Sequence, residues 1–410
     1  MSAISRINKV YLYLMGFLLV VTFILLHTNQ NSSQTAATFL LAFSPLLLLN
    51  KNPVQQPNNY RLIIASVIGY VTVFLLQYFQ REVSDIAHGA ARNMLFILLL
   101  PMTILLTINL RPSTKQIFYL LFFASILSIS PLITDILHHS RRGISATHPI
   151  FWGNMALCTG FLCLVFASRL NKQEQFLSYI ALIFSIGASL WSGTRGGWIT
   201  IPIMAIFLAW SKTVSVKNII LLTVSISILL VSYPDSRNKL LRTFNSPNTA
   251  YTAADGISAS IRIDNSTKAR LEMWASALDR FKQSPFIGNG LDGFYSAGNV
   301  EFKNQKNTIH KHYNHSHNDV LELLVISGLL GLLAYAAIFF CLARSYIHNL
   351  KSKQNQPFVF AGLLLLVEFF LFGLTENFML NKMTVTYFSI LNGLFIGSTL
   401  LITDTEKKDA

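Results

Sequence analysis

Residues 357–375 read Pro357-Phe-Val-Phe-Ala-Gly-Leu-Leu-Leu-Leu-Val-Glu368-Phe-Phe-Leu-Phe-Gly-Leu-Thr375. A single ionisable group interrupts a run of apolar side chains. Wound as a helix rising ~1.5 Å per residue, the run is long enough to cross a hydrocarbon core of roughly 30 Å. Inside lipid the backbone must satisfy its own hydrogen bonds, so helix is the form such a run takes.

The rest of the chain repeats this pattern. Of its 410 residues, 52% are hydrophobic and 12% charged, with mean hydropathy +0.48, against about 25% charged in a soluble domain. Twelve spans are expected, at 10–27, 35–50, 62–79, 94–110, 116–134, 150–167, 176–191, 197–210, 217–233, 319–343, 357–375 and 383–402. The second, seventh and eighth are short. The first is too long for a signal-peptide core and is followed by His27-Thr-Asn-Gln, without a small-residue cleavage site. The expected fold is therefore an all-α polytopic membrane protein. It divides into spans one to nine (1–233), a loop (234–318), spans ten to twelve (319–402) and a tail (403–410).

Positive charge sets the expected orientation. With the N-terminus in the cytoplasm, Lys9, Lys51, Arg111, Lys115, Arg169, Lys212 and Lys351 all fall on the cytoplasmic side. The short opposite loops hold only Arg81, Arg92, Arg141, Arg142, Arg195 and Lys382. Both termini are then cytoplasmic, and the loop 234–318 faces the periplasm of a bacterial inner membrane. That loop is too long to be a mere connector. Within it, 266–281 is expected to be helical, with Leu271, Trp274, Leu278 and Phe281 on one apolar stripe. The helix ends at Pro285 and Gly288-Asn-Gly290. The Ser/Thr/Ala/Asn-rich stretch 243–262 is expected to be mobile.

The net charge of +14 is explained by topology and by anionic lipid or phosphate ligands; no nucleic-acid-binding motif is present. Cys158, Cys163 and Cys341 all lie within apolar runs and read as buried small residues.

Several polar residues do not fit a bland membrane bundle. Arg195, in Trp191-Ser-Gly-Thr-Arg-Gly-Gly-Trp198, sits between two apolar runs, where an arginine is costly without a partner. Arg142 follows a histidine pair in the loop after the fifth span. Arg270 lies one turn before Trp274. Four histidines, His310, His312, His315 and His317, precede the tenth span, with Asp319 and Glu322 close behind. Their spacing matches no familiar zinc pattern, and imidazole near neutral pH also suits a general base. Glu368 and Glu376 are acids in or near late spans, and Glu376 shares the arginines' side. Guanidinium groups bind phosphate oxygens as a fork. A diphosphate leaving group needs cations rather than a general acid, so the set suits transfer from a lipid diphosphate.

Three segments carry a family resemblance: Gly193-Thr-Arg195-Gly; Ala269-Arg270-Leu-Glu-Met-Trp274 with Ser284-Pro285-Phe and Gly288-Asn-Gly290; and His315-Ser-His317-Asn318-Asp-Val-Leu-Glu322 leading to Gly328-Leu-Leu-Gly331. In this order, with one large loop between spans nine and ten, the chain resembles the O-antigen ligase family (WaaL) within the Wzy_C ligase/polymerase superfamily. The resemblance implies a GT-C-like glycosyltransferase of lipopolysaccharide biosynthesis, inverting and independent of metal or other cofactor. Its donor would be O-antigen on undecaprenyl diphosphate, and its acceptor a sugar hydroxyl of lipid A–core. Arg195 and Arg270, with Arg142 as a further candidate, would hold the diphosphate. His317, or its neighbour His315, would be the base, with Glu376, Asn318 and Trp274 supporting. An O-antigen polymerase is the nearest alternative, and a polyprenyl-linked-sugar transporter a more distant one.

Overall fold

The computed structural model describes residues 3–45, 58–79, 91–139, 147–215, 217–218, 224, 248–252, 258–262, 265–294, 300–303, 308–311 and 315–408. Its helices are α1 (Ala3–Leu26), α2 (Gln30–Phe43), α3 (Asn58–Phe79), α4 (Ala91–Leu110, with a 3-10 turn at Leu95–Leu98), α5 (Thr114–Leu127), α6 (Ser130–Leu137), α7 (Pro149–Ala167) and α8 (Lys172–Ser192). They continue with the single turn α9 (Arg195–Trp198), then α10 (Thr200–Trp210), α11 (Asn265–Gln283), α12 (Asp319–His348), α13 (Gln356–Gly373) and α14 (Lys382–Lys408).

Among the described residues, nine helical segments are long and apolar enough to cross a membrane, and the chain is an all-α polytopic membrane protein. They coincide with nine of the twelve expected spans. The expected second span falls on α2, a helix of 14 residues. The eighth is the shorter apolar segment Gly196–Trp210. Most of the ninth lies outside the described residues.

Burial sorts the helices into centre and periphery. The apolar windows of α7 and α14 are each 94% buried, whereas that of α1 is 28% buried. α1 turns Tyr13 and Phe17 outward, as a lipid-facing helix does. α7 packs on α8, α14 on α4, and α12 on α3. Small residues permit the first of these contacts: a Cβ at Gly160 would stand 2.7 Å from that of Ser185. A buried polar chain also ties α1, α7 and α14 together. His27 contacts the Phe23 carbonyl through Nδ1 at 3.1 Å, and its Nε2 lies 2.8 Å from the Thr159 hydroxyl, itself 2.8 Å from that of Tyr387.

The loop before α12 is partly folded. Two antiparallel hairpins, β1–β2 (Asn248–Thr252 with Ser258–Arg262) and β3–β4 (Val300–Lys303 with Thr308–Lys311), accompany α11. The stretch expected to be mobile thus supplies both strands of the first hairpin. The expected helix is present, and Trp274 of its expected stripe packs against the buried cluster, but the face is centred on smaller residues. Met273 and Ala277 are buried against Val325 and Phe294, whereas Leu278 is 46% exposed. The small side chains at 269 and 277 let α11 lie close against α12, and that contact, rather than the largest apolar residues, sets the buried face.

α12 is broken at Gly328, with φ 60 and ψ −156. The segment after α11 enters the break backbone to backbone. Asn289 N–H donates to Val325 O at 2.7 Å and Gly290 N–H to Ile326 O at 3.0 Å. In return Leu329 N–H donates to Pro285 O at 2.8 Å and Leu330 N–H to Phe286 O at 3.1 Å. The interrupted helix therefore leaves these groups satisfied, which non-helical backbone at membrane depth requires. Both glycines are needed. Gly288, with φ 75, would drive a Cβ into the Ile326–Ser327 peptide, and a Cβ at Gly328 would stand 2.6 Å from the Phe286 carbonyl.

Candidate active site

The site forms where two non-helical segments, 315–318 and 374–381, meet at the ends of α12, α13 and α14. Asn318 caps α12, accepting from Leu321 N–H at 3.1 Å, and its amide donates to Leu374 O at 3.1 Å. Asp319 accepts from Met379 N–H at 3.1 Å and 3.2 Å. These bonds hold the two segments side by side.

His317 and Glu376 face each other across this junction. His317 Nδ1 lies 2.8 Å from both Glu376 carboxylate oxygens. With Nδ1–H donating to the carboxylate, Nε2 carries the free lone pair, and among the described residues it has no protein partner. The carboxylate is 2% exposed and the imidazole 29% exposed, so the acid is inside and the imidazole opens outward. His317 itself has φ 52. His315 packs against it with ring centroids 4.0 Å apart, but its Nδ1 is 4.0 Å from Glu376 and makes no hydrogen bond.

Electrostatics distinguish the two partners of this cluster that titrate abnormally. Burial pushes the Glu376 carboxyl upward, but the His317 hydrogen bond and the charges of His317 and His315 outweigh it, so the net shift is downward. Burial, followed by the neighbouring His317 charge, pulls His315 down to about 4, against an opposing pull from Glu376. His315 is therefore neutral near pH 7.

The arginines are placed to different degrees. α9 begins at Arg195, and its next residue, Gly196, presses on the junction: a Cβ there would stand 2.6 Å from the Thr375 hydroxyl, one residue before Glu376. The backbone of the Arg195 turn thus borders the dyad. Arg270 is partly buried on α11, without an ion-pair or hydrogen-bond partner among the described residues. One turn along that helix, the Trp274 indole donates to Ser316 O at 3.1 Å, between the two histidines. Arg142 lies outside the described residues, as does His312. Glu368 is fully buried in α13 beside Cys158 of α7, away from this junction.

Some residues at the junction were not visible in the sequence. His148, which precedes α7, acts electrostatically on His315, and the Asn377 side chain lies beside Glu322. A histidine before Pro149 at the head of an apolar run was the one available signal for the former. For Asn377 there was none beyond its adjacency to Glu376.

The arrangement offers two chemistries. Glu376 orienting an imidazole whose other nitrogen faces outward is the geometry of a general base. His315, His317 and Glu376 also place one ligand atom each within 4.8 Å of one another, a set that could hold a metal ion, and two histidines with one carboxylate form a known zinc donor set. The contact of Nδ1 with both carboxylate oxygens fits the hydrogen-bonded pair.

Residues 180–336 match the Wzy_C family model, O-antigen ligase, so this part of the chain is similar to the O-antigen ligase/polymerase superfamily. The matched segment takes in Arg195, Arg270, the histidines and the break in α12; Glu376 lies beyond it. The chain is also 25% identical to an uncharacterized protein of Haemophilus influenzae, over 87% of this chain and 90% of that protein.

Proposed function

We propose that the protein is an O-antigen ligase, moving O-antigen polysaccharide from undecaprenyl diphosphate to a sugar hydroxyl of lipid A–core. The site faces the periplasm of the inner membrane, on the side of the loop 234–318. His317 Nε2 removes the proton of the attacking acceptor hydroxyl, while Glu376 fixes the ring through Nδ1 and stabilises the imidazolium that forms. The hydroxyl displaces the diphosphate from the anomeric carbon with inversion. Arg195 and Arg270, joined by Arg142, bind the departing diphosphate, whose developing charge two guanidinium groups would stabilise. Holding donor and acceptor in line contributes much of the rate.

The observation that carries this reading is the His317–Glu376 pair, 2.8 Å apart, bordered by the Arg195 turn and joined to the Arg270 helix through Trp274. It supports His317 over His315 as the base, because His315 has no such partner. The superfamily match supports the reaction class. One arginine on a short turn and another on the large loop support ligase over polymerase.

The test is a lipopolysaccharide gel of a strain lacking the protein, beside an assay of carrier-linked polymer. Loss of the O-antigen ladder with long polymer accumulating on the carrier is the expected result. A band bearing a single repeat unit would identify a polymerase, and an unchanged ladder would remove both readings in favour of transport.

A further inference from the structure

We propose that Glu322 is a positioning residue for the His317–Glu376 pair, its one carboxylate holding the segments of both partners at their working separation. Ser316, between the two histidines, has every polar group engaged. Its N–H donates to Glu322 Oε2 at 2.6 Å, its hydroxyl to Asn318 O at 2.9 Å, and its carbonyl accepts from Trp274. Ser316 is 0% exposed and Glu322 4% exposed.

The same carboxylate serves the other segment. The Asn377 side chain lies beside Glu322, and Asn377 N–H donates to Glu376 Oε1 at 3.1 Å. Glu322 thus bonds the residue before His317 and lies beside the residue after Glu376. Asn318 and Asp319 also cross the junction, but they fasten Leu374 and Met379. His317 needs such a frame, because a non-glycine residue with φ 52 persists only where its surroundings fix it.

A carboxylate suits this position because it is acceptor-only and the Ser316 N–H donates to it at 2.6 Å. Glutamine at 322 would keep the volume but replace the charged acceptor of the Ser316 N–H with a neutral one, weakening a charge-assisted bond. One segment would move, and displacements of ~1 Å at a reacting group cost roughly 100-fold in rate.

The inference rests on His317 being the base. The experiment measures transfer from a lipid-linked donor by the purified full chain with Glu322→Gln, Glu376→Gln, both together, and His317→Ala. Glu322→Gln is expected to lower kcat about 10- to 100-fold while donor KM stays within roughly twofold. The double variant is expected to be no slower than Glu376→Gln alone, since both act through one ring. Should Glu322→Gln not fold, Asn377→Ala removes only the side chain beside this carboxylate and is expected to show a smaller kcat loss, again absent on the Glu376→Gln background. Unchanged kcat in Glu322→Gln, or losses that multiply in the double variant, would overturn the positioning role while leaving the base intact. Full transfer by His317→Ala would overturn the base and this inference with it.

Discussion

His317 and Glu376, separated by 59 positions in the chain, meet with Nδ1 2.8 Å from each carboxylate oxygen. The acid is encased and the imidazole partly open, the arrangement the proposed base requires.

Removing the base should therefore cost more than removing its partner. His317→Ala is expected to reduce transfer by roughly 100- to 10,000-fold. Glu376→Gln should cost less, because the ring remains and only its orientation and charge partner weaken. Steady-state kinetics on the purified variants check the order; a Glu376→Gln enzyme with full kcat would detach the acid from the reaction.

Arg270→Lys keeps the charge but loses the planar fork. If Arg270 grips diphosphate through two parallel bonds, the lysine variant should retain under about one tenth of the rate. Wild-type turnover by this variant would take Arg270 out of the diphosphate site. Trp274→Phe, which removes the donor to Ser316 O, should act through the histidines and leave donor affinity intact.

His315 gives a pH signature in stability. Its folded value is near 4, against an ordinary 6.5. Between these values the unfolded chain binds more protons than the folded one, so this group's contribution to stability is complete above about pH 6.5 and declines as pH falls toward 4. Glu376, also depressed, adds a loss below the ordinary carboxylate range as pH falls through its folded value. Thermal unfolding at several pH values should show a shallower acid decline in His315→Gln than in the parent. Identical profiles would mean that His315 does not carry this linkage.

The three-residue cluster makes metal dependence a direct question. Transfer is expected to survive prolonged chelation, because a proton-accepting imidazole held by Glu376 needs no ion. Activity lost to a chelator and restored by zinc would instead put a metal on His315, His317 and Glu376.

Gly328→Ala tests the broken helix. A Cβ there would stand 2.6 Å from the Phe286 carbonyl, whereas one at Gly69 meets nothing within 4 Å. The first substitution should sharply lower the yield of folded protein, and Gly69→Ala should be tolerated. Equal yields would show that the Pro285–Gly290 segment does not need its seat in α12.

Much of this architecture was legible in the chain. Runs such as 357–375 could only be helices, because lipid offers a backbone no other partner. The order of the Arg195 turn, the Arg270 helix and the histidine run could also be read directly, since each is a local pattern. Which histidine is oriented could not. His315 and His317 are equivalent by spacing, and only the packing of 374–381 against 315–318 brings Glu376 to one and leaves the other 4.0 Å away. Gly288 read in sequence as part of a helix stop and Gly328 as part of the motif that carries the resemblance; they are the two faces of one backbone contact. The apolar face of α11 was legible only in part for a similar reason: Trp274 packs on the buried cluster, but Leu278 is exposed while Ala277 is buried against α12. Sequence set the local choices, where neighbouring residues and the membrane decide the energy. Tertiary structure decided every pairing between distant segments, because those energies depend on which surfaces meet.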